Sequence, residues 1–129
     1  MLFSIAAVAI GGGLGALARW LLSTGFNTVL PDLPLGTLIA NLSAGYIIGL
    51  SMVLFAHYSG VSRDWQLFVN TGLMGGLSTF STFSWEVTER FIGRRWPWAF
   101  VEIGAHVGGS LAMTALGITT ASIFFAGRR

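Results

Sequence analysis

Residues 75–84 of this chain read Gly-Gly-Leu-Ser-Thr-Phe-Ser-Thr-Phe-Ser, which places five hydroxyl side chains and two phenylalanines directly after a glycine pair. They lie in a stretch without formal charge that runs from Trp65 to Trp85. Such a stretch can cross a bilayer as a helix, but a helix that faces only lipid would not carry so many hydroxyls. The segment therefore predicts a membrane helix broken near Gly75-Ser78, with freed carbonyls turned toward a buried cation. In the alternative interpretation, the hydroxyls bond back to helix carbonyls and the glycines only pack.

The composition supports a membrane location for the whole chain. Of 129 residues, 53% are hydrophobic and 9% are charged, and the mean hydropathy is +0.74, so the polar surface that a soluble domain needs is missing. Cysteine is absent and histidine occurs twice, which excludes disulfides and a Cys/His zinc cage. The net charge of +2 comes from scattered arginines, so nucleic acid is not an expected partner.

Four apolar stretches, at about residues 2–22, 36–58, 65–90 and 97–125, predict an all-α integral membrane protein with four transmembrane helices in one domain, residues 1–129. Aromatic residues near the ends of these stretches support the boundaries. Glycine pairs at four-residue spacing recur in every span and predict close approach of helix backbones. These pairs are Gly11/Gly15, Gly45/Gly49, Gly72/Gly76 and Gly104/Gly108.

The arginines give almost no preference for one orientation in the membrane. With four spans, one side carries Arg63, Arg128 and Arg129, and the other carries Arg90, Arg94 and Arg95. Arg19 lies near the end of the first span, where it should snorkel or pair with an acceptor across the bundle. Because a chain with so little bias can insert both ways up, we expect a dual-topology, antiparallel homodimer.

Phe80 and Phe83 are three residues apart and so share one helix face, where their rings could line a narrow passage. The edge of an aromatic ring carries partial positive charge, which favours an anion that has shed its water. Two phenylalanines in a packed core are the alternative. The pattern alone does not decide between these two interpretations.

Other polar residues of the spans are also candidates. His106, Ser110 and Thr114 are spaced by four and form one polar stripe, which predicts a ladder of donors, although pairing within the bundle is the alternative. The amide of Asn41 can donate and accept, either to a passing solute or between helices. The carboxylates Glu86, Glu89 and Glu102 are expected near the interfaces, where solvated carboxylates are ordinary, and Glu86 also suggests a pore mouth.

Together these segments resemble the Fluc (CrcB) family of fluoride channels over nearly the whole chain. Four motifs carry the resemblance: Gly12-Gly13-Leu14-Gly15-Ala16 with Arg19-Trp20, Gly36-Thr37-Leu38 with Asn41-Leu42, the segment of residues 75–84, and Gly109-Ser110 with Met113-Thr114. The third motif is the most specific of them.

The resemblance implies a channel in the cell (inner or plasma) membrane that lets cytoplasmic fluoride leave passively, through two antiparallel pores per homodimer, and that is not an enzyme. It implies a fluoride path formed by Asn41, Phe80, Ser81, Thr82, Phe83, His106, Ser110 and Thr114. It further implies a structural sodium ion held by the backbone carbonyls of Gly75 and Ser78, with Arg19 and Glu86 in support.

Two other functions remain compatible with the pattern. A small multidrug-type exporter also has four spans and often dual topology, but its proton coupling requires a carboxylate deep in a span, for which Glu102 is the only partial candidate. A membrane subunit that transports nothing would equally contain many small-residue packing motifs. Fluoride efflux from liposomes distinguishes all three.

Overall fold

In the computed structural model, which describes residues 1–128, three helices are long and apolar enough to cross a membrane. They are α1 (Leu2–Phe26), α2 (Leu35–His57) and α6 (Trp96–Ala126). The described residues contain no strand, which agrees with the predicted all-α class. Arg129, which entered the count of charges, lies outside the described residues.

The predicted third span is an interrupted helix. It begins with α3 (Arg63–Gln66), continues through a π-helical segment (Leu67–Leu73) into α4 (Met74–Leu77), and resumes as α5 (Phe80–Ile92). Between α4 and α5, Ser78 (φ −74°, ψ 152°) and Thr79 (φ −150°, ψ 112°) are extended. The break thus lies at the carboxyl end of the predicted interval, and Gly75 belongs to α4 because its backbone is still helical.

Contacts between the connectors fix the two ends of the bundle. At one end, Arg95 pairs with Asp32, and Arg90 Nη2 donates to the Pro31 carbonyl at 3.1 Å, which joins the first connector, between α1 and α2, to the end of α5 and to the third connector, between α5 and α6. At the other end, Ser4 Oγ donates to Asp64 Oδ1 at 2.7 Å and the rings of His57 and Phe125 stack. The chain therefore alternates between ends in the way the apolar stretches predict.

The helices pack through glycines that bring backbones into direct contact. A Cβ atom at Gly15 would collide with the Leu73 carbonyl, and one at Gly76 would collide with the Gly12 carbonyl, so α1 lies directly against the π-helical segment and α4. Gly49 and Gly117 hold α2 against α6 in the same way. Gly104 and Gly108, by contrast, meet nothing within 4 Å in the described chain, so this predicted pair makes no close contact within one subunit.

We expect Gly15→Ala to destabilise the protein by about 2 kcal/mol, because the added methyl group forces two backbones apart. Gly13→Ala is the matched control, since a Cβ atom at this position of the same helix meets nothing within 4 Å. Thermal unfolding of both variants in detergent measures the difference. Equal melting temperatures would contradict the close contact between α1 and α4.

Candidate functional site

The break in the third span is closed by Asn41 of α2. The Thr79 amide donates to Asn41 Oδ1 at 2.7 Å, and Asn41 Nδ2 donates to the Thr79 carbonyl at 3.1 Å. The Thr79 amide would bond the Gly75 carbonyl if the helix continued. The side chain of Asn41 therefore replaces the backbone partners that Thr79 loses, and the amide and carbonyl of Thr79 remain paired inside the bundle.

The same amide reaches His106 of α6. Asn41 Nδ2 lies 3.0 Å from His106 Nδ1. The imidazole stacks on the ring of Phe83, with the centroids 4.6 Å apart and the planes at 29°. Phe83 is buried, 7% exposed, whereas Phe80 is 77% exposed, and their centroids are 5.5 Å apart. The two phenylalanines thus share one face, as predicted, but only one of them is packed in the core of the described chain.

These residues line an open groove of about 520 Å³ between α2, the interrupted helix and α6. The groove brings together seven residues that the sequence predicts for the site: Asn41, Gly75, Ser78, Phe80, Phe83, His106 and Ser110. Most of its remaining lining is apolar, which suits a passage that admits few polar species.

Three residues predicted for the pore lie elsewhere. Thr114 lies one turn beyond Ser110 and donates to its carbonyl at 3.0 Å, which is the back-bonding that we gave as the alternative. Thr82 contacts the hydroxyl of Thr79 through both its amide and its own hydroxyl, so it belongs to the cap of α5. Ser81 is exposed beside them, with its Oγ 3.4 Å from Thr79 Oγ1.

Carbonyl groups are available where α4 ends, since the last carbonyls of a helix have no helical partner. The Met74 carbonyl accepts from the amide and hydroxyl of Ser78, and the Gly76 carbonyl accepts from Arg19 Nε at 3.0 Å. Arg19 therefore pairs across the bundle, one of the two outcomes expected from the sequence. The Thr79 amide bonds Asn41 instead, so the exposed Gly75 lacks the partner that its carbonyl would have in a continuous helix.

The expected exposure of two carboxylates to solvent is wrong. Glu86 and Glu102 are 7% and 0% exposed, so neither is a solvated interfacial group, whereas Glu89 is exposed as predicted. Glu86 Oε1 accepts a hydrogen bond from the buried Thr37 hydroxyl at 2.7 Å. The error has a physical reason: α5 and α6 pack against each other at this level, and hydropathy along one chain does not report which face of a helix is covered.

Several residues at or beside the candidate site were not singled out from the sequence. Thr79 was counted only as one of five hydroxyls, although its backbone makes the contact with Asn41 and its side chain caps α5. Thr37 was quoted only as part of a motif, and Asn70, which lines the groove and accepts from Ser51 Oγ at 2.6 Å, was not singled out. An uncharged amide inside a predicted span was the available signal for Asn70.

The fold and the groove define the class. This is a multi-pass helical membrane protein in which a broken helix and its two neighbours line an open groove that carries a few polar groups within an apolar bundle. Membrane transport proteins are built on discontinuous helices of this kind.

Comparison with known proteins identifies the family. The family model described as CrcB-like protein, Camphor Resistance (CrcB), matches residues 6–118, so the chain belongs to the CrcB family. A relative from Paraburkholderia xenovorans strain LB400, named "Fluoride-specific ion channel FluC", is 54% identical over 95% of this chain and 98% of its own. A relative of the same name from Burkholderia pseudomallei strain 668 is 48% identical over 98% of both chains. The resemblance that the four motifs predicted is thereby confirmed.

Proposed function

We propose that this protein is a fluoride-selective channel that lets fluoride leave the cytoplasm down its gradient, without making or breaking a bond. The single observation that carries the proposal is the groove in which Asn41, His106 and the two phenylalanines meet at the broken helix. The name shared by relatives at 48% and 54% identity supports it. A passive channel is not an enzyme, and no catalytic residue is assigned.

In this proposal the groove replaces the water that fluoride loses. Asn41 keeps one N–H on the Thr79 carbonyl and offers the other, which bonds His106 Nδ1 in the resting state. The ring edges of Phe80 and Phe83 supply weak positive potential on the same wall. Ser110 continues the path along α6, and Ser81, Thr82, Thr114 and His106 supply or orient further polar groups. Close donors at a narrow bore favour a small, strongly hydrated anion over a larger halide.

We infer four membrane crossings and assembly as an antiparallel homodimer with two fluoride pores. The groove is open on one side, and Phe80 lies exposed there among apolar neighbours, so a second copy would complete its wall. The nearly equal arginine counts at the two ends allow both orientations in the membrane.

A structural sodium ion would lie between the subunits, held by the backbone carbonyls of Gly75 and Ser78 from both copies. Ser78 Oγ donates to the Met74 carbonyl at 2.9 Å, so the hydroxyl is held against α4, and we assign the cation to the backbone oxygens, which are ligands that hard cations accept. Both residues are exposed in the single chain and so are free to face a partner.

We expect replacement of sodium by potassium at constant ionic strength to lower the melting temperature of the detergent-solubilised dimer by about 5 °C or more, because a bound ion stabilises only the assembled state. Ser78→Ala should retain this sodium dependence, since only its carbonyl is proposed as a ligand. Equal melting temperatures in sodium and in potassium would contradict the proposed sodium site.

Efflux from liposomes tests the function directly. Vesicles that contain the purified protein and are loaded with fluoride should release fluoride at least about tenfold faster than vesicles loaded with chloride release chloride, as expected when close donors at a narrow bore replace the water that fluoride loses. Equal rates for the two halides, or no release at all, would overturn the proposal. Efflux that requires a proton gradient would instead favour the multidrug-type exporter, which the names of the relatives do not support.

A further inference from the structure

Four buried polar atoms beside the groove have no hydrogen-bond partner within the described chain. They are Glu86 Oε2, both carboxylate oxygens of Glu102, and His106 Nε2. The three side chains each offer an atom within 4.8 Å of the other two, and all three are buried. Because buried polar groups in folded proteins are almost always satisfied, these atoms require a common explanation.

The proton on His106 can be placed from its neighbours. The Thr79 amide donates to Asn41 Oδ1, which fixes the orientation of the Asn41 side-chain amide. Asn41 Nδ2 can then only donate, so His106 Nδ1, at 3.0 Å, must be the acceptor. A neutral imidazole with a bare Nδ1 carries its proton on Nε2. His106 therefore presents an N–H donor, and not a lone pair, to the two carboxyl groups.

This tautomer argues against a metal ion in the cluster. A metal ion needs the lone pair of Nε2, which would place a proton on Nδ1 and turn it against the amide hydrogens of Asn41. Carboxylates and an imidazole within 4.8 Å of one another would otherwise suit a divalent cation. The hydrogen bonds of the break thus exclude the most obvious occupant.

The charges of the cluster do not balance if both carboxyl groups are ionised. Arg90, which is 12% exposed, approaches Glu102 Oε2 to 3.9 Å, too far for a hydrogen bond. Its hydrogens are directed instead at the carbonyls of Pro31 and Asp32. Arg90 therefore supplies one positive charge against two negative ones, in a buried site where an unpaired charge is costly.

The other groups around the cluster do not supply the missing charge. On α5, the exposed Glu89 adds further negative charge. On α6, His106 is neutral, because its Nδ1 accepts from Asn41 and carries no proton. On α2, the groups that face the cluster are Thr37 and Asn41, which are uncharged. The Asp32–Arg95 pair in the connectors is neutral as a unit.

We propose that Glu86 and Glu102 share a single proton, and that this proton keeps the fluoride path open to anions. Glu86 Oε2 and one oxygen of Glu102 are joined by an O–H···O bond, and the second Glu102 oxygen accepts from His106 Nε2–H. One proton thus satisfies all four unpartnered atoms and, with Arg90, brings the site to neutrality. Loss of the proton leaves a net negative charge beside the groove, which repels an approaching anion.

The proposal rests on the fluoride-channel function for its effect on flux, but the proton itself is tested without transport. Infrared spectra of the purified protein in detergent at neutral pH should contain the C=O band of a protonated carboxyl group. The band should vanish in Glu102→Gln, because the amide can donate to Glu86 permanently, and Glu86 then pairs with Arg90 as a carboxylate. Glu89→Gln, which removes an exposed carboxylate from the same helix, should retain the band.

In liposomes, fluoride efflux through the wild-type protein and Glu89→Gln should fall about fivefold or more between neutral and alkaline pH, as a net charge appears beside the path. The efflux rate of Glu102→Gln should be the same at alkaline pH as at neutral pH. If Glu102 had only a structural role, Glu102→Gln would lower the efflux rate equally at every pH. That result would overturn the proposed effect of the shared proton on fluoride flux.

Two results would overturn the shared proton. One is the absence of a protonated carboxyl band at neutral pH, or its survival in Glu102→Gln. The other is a stoichiometric divalent or transition-metal ion, as distinct from the proposed sodium, found by elemental analysis of the purified protein. If the infrared band is present at neutral pH and vanishes in Glu102→Gln but no fluoride passes, the shared proton is supported and the channel function is contradicted.

Discussion

Asn41→Asp is expected to reduce fluoride efflux from liposomes by at least about 100-fold, the largest effect of any single change proposed for this chain. The replacement keeps the size of the side chain but removes both N–H donors. The Thr79 carbonyl and His106 Nδ1 would then face a carboxylate oxygen instead of a donor. The new negative charge also lies on the wall of the groove, where it repels the anion.

Gln66→Glu is the matched control for Asn41→Asp. It is the same change from amide to carboxylate, but Gln66 lies near the start of the interrupted helix, where its Nε2 bonds the Val61 carbonyl outside the groove. We expect its efflux to stay within about twofold of wild type, as for other changes at the membrane surface. Wild-type efflux in Asn41→Asp would show that the groove at the break is not the path.

Phe80→Ile and Phe83→Ile should both lower fluoride efflux by about tenfold or more, but they should differ in stability. Phe83 is 7% exposed and stacks on His106, so its loss creates a cavity and should lower the melting temperature. Phe80 is 77% exposed in the single chain, so its replacement should change transport with little effect on the fold of a subunit. Efflux and thermal unfolding of the same preparations separate the two effects.

Phe100→Ile controls for the loss of an exposed aromatic ring. Phe100 is 64% exposed on α6 and does not line the groove. Its efflux and melting temperature should match those of the wild type. If Phe80→Ile also behaves like the wild type, the ring-edge contribution to the path must be abandoned.

The parts of the fold that depend on local composition could be predicted from the sequence. Hydropathy located α1, α2 and α6, because a membrane span must be apolar along its whole length. The hydroxyl-rich segment after Gly75-Gly76 located the break to within a few residues, since so many polar groups cannot face lipid. Three of the four glycine pairs were correctly assigned to close helix contacts.

Contacts between distant residues could not be predicted in this way. Glu86 and Thr37 are 49 positions apart, and their hydrogen bond depends on how α2 meets α5. The burial of Glu102 likewise depends on rotation of α6 about its axis, which a nearly uniform apolar helix does not encode in its periodicity. The sequence also offered no reason to prefer Thr79 over the other four hydroxyls, because its role belongs to the backbone.

The bond between Asn41 and Thr79 has a consequence for biogenesis. The side chain that pairs with Thr79 belongs to Asn41, which lies 38 positions earlier in the chain. Asn41 is therefore synthesised before Thr79 and can already be in the bilayer when Thr79 leaves the ribosome. Until the two segments meet, an extended peptide at Ser78 and Thr79 would leave the Thr79 amide and carbonyl unpaired in hydrocarbon, so a continuous helix is more favourable. The break therefore forms when α2 packs against the interrupted helix, and we expect an isolated peptide of residues 63–92 to form a continuous helix.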